Sequence, residues 1–193
     1  MQDYLEFRHP CSGGMFDGTV ARDRISIPRD KFVRVGIECE IAARIARDVP
    51  TGPFTAERMA GEVAAWMPSM EIVEDRFGDF RRIDPHTLVA DDFFNWGGVL
   101  GPEAQATPEA IANMTGTTTI NGVVVGTGRG SDVLGHPLNV LAWLAESLVA
   151  RGTFLRAGEI VTTGSVVETK WMERGDRAVI SIAGLGEASL ELT

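Results

Sequence analysis

Apolar and polar residues alternate through one ten-residue stretch, VRVGIECEIA at positions 33–42. A period of two is typical of a β-strand whose two faces meet different surroundings. One face carries the apolar residues Val33, Val35, Ile37, Cys39 and Ile41, and the other carries Arg34, Gly36, Glu38, Glu40 and Ala42. The sequence therefore predicts a strand here, with two glutamates on the same face.

These two glutamates, Glu38 and Glu40, are expected to lie about 6.5 Å apart, since each strand residue adds roughly 3.3 Å. Two carboxylates at this distance repel each other unless solvent separates them or a cation neutralises them. Gly36 lacks a side chain and leaves open space beside them. We interpret the pair as half of a divalent-metal site, and the alternative is a half-exposed strand with a charged outer face.

The composition is that of an ordinary globular protein, with 44% hydrophobic and 23% charged residues in a chain of 193. This length predicts a single domain over residues 1–193. The net charge of −9 argues against nucleic acid or an anionic membrane surface as a partner. It also means that an anionic small molecule would need a local cation, which a metal would supply.

The sequence shows no signal for export or membrane insertion. No basic segment leads into an apolar run at the N-terminus, and no apolar run approaches the roughly 20 residues that span a bilayer. Cys11 and Cys39 lack zinc-ligand spacing, so we expect both to be reduced and Cys39 to lie in the core. We therefore expect a cytoplasmic protein that does not bind a membrane.

Turn-forming residues are dense between positions 9 and 30, which predicts that residues 1–30 are irregular. Further on, Thr55 is a candidate N-cap for a helix whose apolar residues recur at helical spacing as far as Met67. Pro68 is expected to end this helix.

A short strand over residues 69–73 follows and places Glu71 on the face opposite Met70 and Ile72. The preceding turn and helix would allow this strand to return beside Glu40, which makes Glu71 a possible third carboxylate of the site. On spacing alone, an acidic surface patch with the residues that follow it is the alternative.

The second half of the chain adds a hairpin and a long helix. Asn121-Gly122 between β-branched residues predicts a tight hairpin over 117–125. The glycine-rich run at 126–130 lacks a dinucleotide or P-loop fingerprint, so we reject a nucleotide site. Pro137 and Gly152 are expected to bound the clearest helix in the chain.

A strand over 159–163 is expected to end in Gly164-Ser165, and antiparallel strands close the chain. Strands outnumber helices in this pattern and are joined partly by hairpins. The predicted class is α+β, a mixed, β-rich roll with the helices packed outside.

Six segments resemble, in this order, the 2-oxopent-4-enoate hydratase and 4-oxalocrotonate decarboxylase branch of the fumarylacetoacetate hydrolase superfamily. They are GIECEIA at 36–42, EIVEDR at 71–76, ADD at 90–92, VLG at 99–101, LGHPLNVLAWL at 134–144 and AGEIVTTGS at 157–165. The likeness runs from about residue 14 to the end of the chain. It implies a mixed β-roll fold and a Mg²⁺ or Mn²⁺ ion held by Glu38, Glu40 and Glu71.

Three carboxylates are hard oxygen ligands that select Mg²⁺ or Mn²⁺ over zinc and leave positions open for substrate and water. The resemblance implies a 2-oxo acid substrate that chelates the ion, which then stabilises an enolate as a Lewis acid. We expect a lyase of aromatic catabolism that hydrates 2-hydroxypenta-2,4-dienoate-like substrates. A decarboxylase or C–C hydrolase acting on 2-oxo dicarboxylic acids or acylpyruvates is one alternative, and a non-catalytic member that binds metal and a 2-oxo acid is another.

The resemblance also implies a substrate contact at Thr163, Gly164 and Ser165, where backbone N–H and hydroxyl donors would hold the substrate carboxylate. A plain junction between strand and turn is the alternative. Asp91 is a second candidate substrate contact, and structural hydrogen bonding is its alternative role.

Two residues are candidates for proton transfer. His136 is one, although a residue before a helix can equally serve as a cap. Asp17 is a candidate base, because it lies near the position where relatives have an acidic residue before a glycine.

The sequence departs from its relatives at two places. Hydratases have an N-terminal Gly-Tyr-Lys-type motif with a lysine expected to take part in catalysis; this chain begins after that point and no lysine in it matches. After Ala90-Asp91, where hydratases have small residues and serines, this chain has Asp92-Phe93-Phe94-Asn95-Trp96. Exposed aromatic side chains at Phe93, Phe94 and Trp96 would favour a homo-oligomer.

Overall fold

The computed structural model describes residues 10–79 and 82–193. Its strands are β1 (Val20–Arg22), β2 (Arg24–Ile27), β3 (Val35–Ile45), β4 (Val63–Glu74), β5 (Asn95–Leu100), β6 (Thr115–Ile120), β7 (Val123–Arg129), β8 (Ile160–Trp171), β9 (Arg177–Ile182) and β10 (Gly186–Leu192). Its α-helices are α1 (Ala56–Ala60), α2 (Pro85–Ala90), α3 (Pro108–Asn113) and α4 (Pro137–Ala150). Short 3₁₀ helices occupy Asp17–Thr19, Arg29–Lys31 and Gly130–Asp132.

The strands form two five-stranded mixed sheets, in the orders β1-β5-β4-β3-β8 and β2-β10-β9-β6-β7. Most neighbours are antiparallel, whereas β1 runs parallel to β5 and β2 runs parallel to β10. One hydrophobic cluster contains buried residues from both sheets, with Ile37 of β3 and Ile180 of β9 among them. The predicted β-rich α+β class is confirmed.

The strand predicted at residues 33–42 is an inner strand of the first sheet, with β4 on one side and β8 on the other. Its odd-numbered residues from Val35 to Ile41 are fully buried in the main core, including Cys39. Val33 was expected on this face but precedes the strand and is 66% exposed. The half-exposed alternative is wrong, because Ala42 on the opposite face is also buried, against Met67 and Leu100.

The helix predicted from Thr55 to Met67 is correct only in its first turn. Thr55 caps α1 by accepting a hydrogen bond from the Arg58 N–H, but α1 ends at Ala60 and β4 begins at Val63. The apolar run before Pro68 fits a buried strand as well as a helix, and pairing with β3 favours the strand.

Pro68 lies inside β4 instead of ending a helix. Its carbonyl accepts a hydrogen bond from the Gly101 N–H, just beyond the end of β5. The position of the missing N–H faces the same side, where the pairing of β4 with β5 has already ended at Ser69 and Leu100. A proline at this position therefore costs the sheet no ladder hydrogen bond.

The prediction that residues 1–30 are irregular is wrong for 20–27, which form β1 and β2. These strands have only three and four residues, too few for a clear alternating pattern. Residues 10–16 have neither helix nor strand, as predicted, and residues 1–9 lie outside the described part of the chain.

The other sequence predictions for the second half are largely confirmed. Asn121 and Gly122 form the hairpin turn with φ of 51° and 80°, and α4 runs from Pro137 to Ala150. The strand expected to end at Gly164-Ser165 instead continues to Trp171, because a register shift against β3 absorbs the glycine. No helix in the described ranges is long and apolar enough to cross a membrane.

Candidate metal centre

Three glutamates meet on one face of the first sheet. Glu38 of β3 lies directly opposite Glu71 of β4, and side chains of opposed residues project to the same face. Glu40 follows two positions later on β3 and shares that face. One carboxylate oxygen from each residue lies within 4.8 Å of the other two.

Each carboxylate is oriented by a neutral donor. The Thr169 hydroxyl donates to Glu38, the Gly164 N–H donates to Glu40 at 3.0 Å, and the Asn95 amide donates to Glu71 at 2.7 Å. Gly164 has φ of +98°, a conformation that glycine adopts without strain. The register shift in β8 at this glycine therefore supplies the N–H that orients Glu40.

Burial without a counter-charge raises the pKa of all three carboxyls. For Glu38, burial raises the pKa and the Thr169 hydrogen bond opposes it in part. For Glu40, burial is the main cause of a pKa well above its ordinary value, and the charges of Glu71 and Glu38 raise it further. Burial, and then the charge of Glu38, raises the pKa of Glu71 to about 7. A cation bound between them would remove this penalty.

The three glutamates face a cavity of about 480 Å³. Asp75 and Asp92 add two more carboxylates to its lining, and no lysine, arginine or histidine from the described ranges contributes. Apolar side chains cover much of the remaining wall, namely Met15, Phe93, Phe94, Val140, Trp143, Leu144, Ile160, Val161 and Trp171. The donor set therefore fits a hard divalent cation, which would also attract an anionic ligand to a site that otherwise repels one.

The space expected beside Gly36 is filled by β8. A Cβ at this glycine would lie 2.9 Å from the Trp171 ring and 3.0 Å from the Thr169 methyl carbon. Arg34 also packs on Trp171, with its guanidinium carbon 3.8 Å from the centre of the ring. Gly36 thus permits close packing of Trp171 and does not leave open space.

The predicted substrate contact at residues 163–165 is only partly in place. Gly164 and Ser165 line the cavity, but Thr163 is buried and its hydroxyl donates to the Ile41 carbonyl at 2.8 Å. Thr162 lines the cavity instead. The prediction for Thr163 is wrong because the register shift at Gly164 changes which side chains of β8 reach the site.

His136, Asp17 and Asp91 lie outside the cavity lining. His136 is the N-cap of α4: Nδ1 accepts from the Leu138 N–H at 3.0 Å and Nε2 lies 3.0 Å from the Pro108 carbonyl. Both ring nitrogens are therefore engaged in structural contacts, which supports capping over proton transfer. Asp17 is exposed in the first 3₁₀ helix, and its role as a base stays a prediction.

Asp91 has the structural role that was its alternative. Its carboxylate pairs with Arg76 at 2.8 Å and accepts the Phe94 N–H at 3.1 Å. The sequence prediction missed its neighbours Asp92 and Asn95, together with Thr169 and Trp143. Asn95 and Asp92 belong to the stretch that departs from the relatives, which was the one available signal for them.

The aromatic residues that suggested self-association are not fully exposed. Phe93 and Phe94 are half-buried and line the cavity, and Trp96 packs on Phe32 with ring centres 5.0 Å apart. The predicted homo-oligomer thus loses its original reason and stays a prediction, which light scattering after size-exclusion chromatography would test.

Divalent-metal affinity should fall as the pH falls below about 7. Protons compete with the ion for the carboxyls, and a single competing group with a pKa of about 7 predicts about tenfold weaker binding at pH 6 than at pH 8. Calorimetric titration with MgCl₂ at both pH values measures this ratio, with circular dichroism as the control for folding. Equal affinity at the two pH values would contradict the electrostatic description.

Comparison with known proteins gives one consistent result. Residues 17–192 match the family described as fumarylacetoacetate (FAA) hydrolase, C-terminal. The chain is 30% identical to 2-hydroxyhexa-2,4-dienoate hydratase of Comamonas testosteroni, with 100% of this chain and 74% of that protein covered. It is also 30% identical to 2-keto-4-pentenoate hydratase of Paraburkholderia phymatum, with 96% and 71% covered.

A solved structure shows the same similarity. The 4-oxalocrotonate decarboxylase of Pseudomonas putida G7, complexed with magnesium and adipate, superposes with a TM-score of 0.91 at 25% identity. The superposition covers 100% of this chain and 73% of that one. This chain belongs to the fumarylacetoacetate hydrolase family.

Proposed function

We propose that this protein is a metal-dependent lyase of small 2-oxo acids, and specifically a hydro-lyase acting on 2-hydroxypenta-2,4-dienoate-like substrates. The observation that carries the proposal is the group of three carboxylates, within 4.8 Å of one another, at the wall of a cavity of about 480 Å³. The names of the relatives support the reaction class, because two of them are hydratases of unsaturated 2-oxo or 2-hydroxy acids.

Glu38, Glu40 and Glu71 would hold a Mg²⁺ or Mn²⁺ ion. Their oxygen-only donor set suits these hard ions, and the related decarboxylase was solved with magnesium. Such an ion would supply Lewis-acid chemistry to the 2-oxo acid group of the substrate. Asn95, Thr169 and the Gly164 N–H keep the ligand oxygens oriented.

The side chains of the cavity would then position the substrate and exchange a proton with it. The Ser165 hydroxyl donates to the Val167 carbonyl at 2.6 Å, so the backbone already holds it, while the apolar wall would exclude water from the carbon chain of the substrate. Asp92 is the candidate base that lines the cavity: Oδ1 accepts the Gly14 N–H at 3.0 Å, and Oδ2 would take the substrate proton. It thereby replaces Asp17 and His136 as the proposed proton-transfer group.

Turnover of the dienoate with Mg²⁺ tests this function directly. We expect the dienoate absorbance to disappear when protein and Mg²⁺ are present and to persist when EDTA removes the metal. The same assay with 4-oxalocrotonate, oxaloacetate and an acylpyruvate, followed by absorbance and CO₂ release, separates the reaction types. A stable dienoate in the presence of Mg²⁺ would contradict the hydratase assignment.

A decarboxylase is the second candidate. The superposition on 4-oxalocrotonate decarboxylase favours it. It would use the same three metal ligands and release CO₂ from 4-oxalocrotonate without consuming the dienoate. Binding of Mg²⁺ with no turnover of any of these substrates would instead indicate the non-catalytic alternative.

A further inference from the structure

One turn over the cavity has an uncommon backbone. Asp92, Phe93 and Phe94 follow one another with φ of 60°, 54° and 70°, so three consecutive residues other than glycine are in the left-handed region. Bulky residues rarely adopt this conformation, and such a run persists only where the surroundings hold it.

The surrounding bonds do hold this turn in place. The Phe93 N–H donates to the Leu88 carbonyl at 2.9 Å and the Asn95 N–H donates to the Asp92 carbonyl at 3.1 Å. Arg76 then bonds both ends of the turn, at 2.8 Å to the Asp91 carboxylate and at 2.8 Å to the Asn95 carbonyl. The turn therefore presents its side chains from a fixed position.

Those side chains form a wall of the cavity beside Glu71, to which Asn95 at the end of the turn donates a hydrogen bond at 2.7 Å. Phe93 and Phe94 join Val140, Trp143 and Leu144 in an apolar surface, and Asp92 adds a negative charge to the same turn. From residues 10–79 and 82–193, no basic side chain reaches this lining. A substrate tail that lies along this wall thus meets aromatic rings.

We propose that Phe93 and Phe94 are specificity-determining residues that select 2-oxo acids with an apolar tail and reject those with a second carboxylate at the far end. Binding of a hydrocarbon tail against the rings is favourable, because its apolar surface is removed from water. A terminal carboxylate would lose its hydration there and find no basic side chain among the described residues that line the cavity. This inference rests on the proposed function, because the metal end of the site must hold the 2-oxo acid group.

Three ligands distinguish binding at the metal from binding of the substrate tail. Pyruvate reports binding at the metal alone, while 2-oxohexanoate and 2-oxoadipate have equal chain lengths and differ in a terminal methyl or carboxylate. For the Mg²⁺-loaded protein, we expect calorimetry to show at least tenfold tighter binding of 2-oxohexanoate than of 2-oxoadipate. Equal affinity, or tighter binding of 2-oxoadipate, would overturn the inference.

Variants assign the preference to the wall. Phe93→Arg and Phe94→Arg should each shift the ratio of the two affinities toward 2-oxoadipate by about tenfold. The milder Phe93→Leu should reduce the preference for 2-oxohexanoate without loss of folding. Phe16→Ala is the matched control, since Phe16 is 74% exposed and lies outside the cavity lining. An unchanged ratio in all three wall variants would assign the preference elsewhere and contradict the proposal.

Pyruvate distinguishes failure of this inference from failure of the function. If pyruvate binds in a Mg²⁺-dependent manner but the tails are not discriminated, only the role of the wall is wrong. If pyruvate shows no Mg²⁺-dependent binding, the proposed function fails and the inference fails with it.

Discussion

Glu71→Gln should weaken Mg²⁺ binding by at least about 100-fold, which corresponds to about 2.7 kcal/mol. The amide offers one neutral oxygen in place of a charged carboxylate, and loss of a direct ligand should exceed the 10- to 100-fold effects typical of groups that merely orient ligands. Titration calorimetry measures the affinity, and turnover should fall in parallel at low Mg²⁺.

Glu168→Gln is the matched control for this change. Glu168 lies in the same sheet, on β8, but its side chain is 91% exposed and outside the cavity lining. Its replacement should leave the Mg²⁺ affinity unchanged. If Glu71→Gln bound Mg²⁺ as well as the control does, Glu71 would not be a ligand.

Glu71→Gln should weaken metal binding but stabilise the folded protein when no metal is present. The pKa of Glu71 is about 7 in the folded protein against an ordinary value of 4.5, so the folded state binds more protons between these values. The free energy of unfolding of the metal-free protein therefore decreases as the pH rises from about 4.5 to about 7. Glu71→Gln should flatten this decrease and raise the melting temperature at pH 8 in EDTA, as differential scanning fluorimetry would show.

Arg76→Met should lower the free energy of unfolding by about 2–4 kcal/mol. Arg76 donates to Glu74 at 3.1 Å, to Asp91 at 2.8 Å and to the Asn95 carbonyl at 2.8 Å. The side chains of Glu74 and Asp91 are only 10% and 15% exposed, so both would keep a charge with little compensating solvent. Urea unfolding followed by circular dichroism measures the loss.

Arg44→Met provides the comparison for Arg76→Met. Arg44 also makes two hydrogen bonds to a carboxylate, that of Glu103, but the two side chains are 34% and 37% exposed. A surface pair of this kind contributes about 0–1 kcal/mol. Equal losses in the two variants would show that the Arg76 network adds nothing beyond a surface ion pair.

The part of the metal centre that sequence alone predicts is the part that is local. Glu38 and Glu40 share one strand, so alternation is enough to place them on one face. Glu71 comes from β4, and its position opposite Glu38 depends on the register between strands, which no short-range pattern contains. The resemblance to a family was needed to name it.

The groups that orient the ligands cannot be predicted from local sequence patterns. Thr169 bonds to Glu38 across 131 residues of chain, and Gly164 bonds to Glu40 across 124. Both contacts depend on the register shift between β3 and β8. The sequence pattern predicts a strand end at Gly164 and therefore does not predict this shift. The sequence also predicts that Thr163 contacts the substrate, whereas its hydroxyl donates to the Ile41 carbonyl.

Two local patterns were ambiguous for physical reasons. The apolar residues before Pro68 fit both a helix and a buried strand, and only pairing with β3 favours the strand. In the turn at Asp92–Phe94 only the aspartate is of a type that tolerates a left-handed backbone, and the two phenylalanines give no indication of it. Its neighbours, chiefly Arg76 and Leu88, impose that conformation.

A crystal of the protein soaked with Mn²⁺ and pyruvate would show whether the three glutamates bind a metal ion. We expect one anomalous peak within about 2.3 Å of a carboxylate oxygen from each of Glu38, Glu40 and Glu71, with pyruvate on the open positions of the ion. A crystal of Glu71→Gln soaked in the same way should lack the peak. A peak bound by other residues, or none in the wild-type protein at millimolar Mn²⁺, would contradict the metal centre.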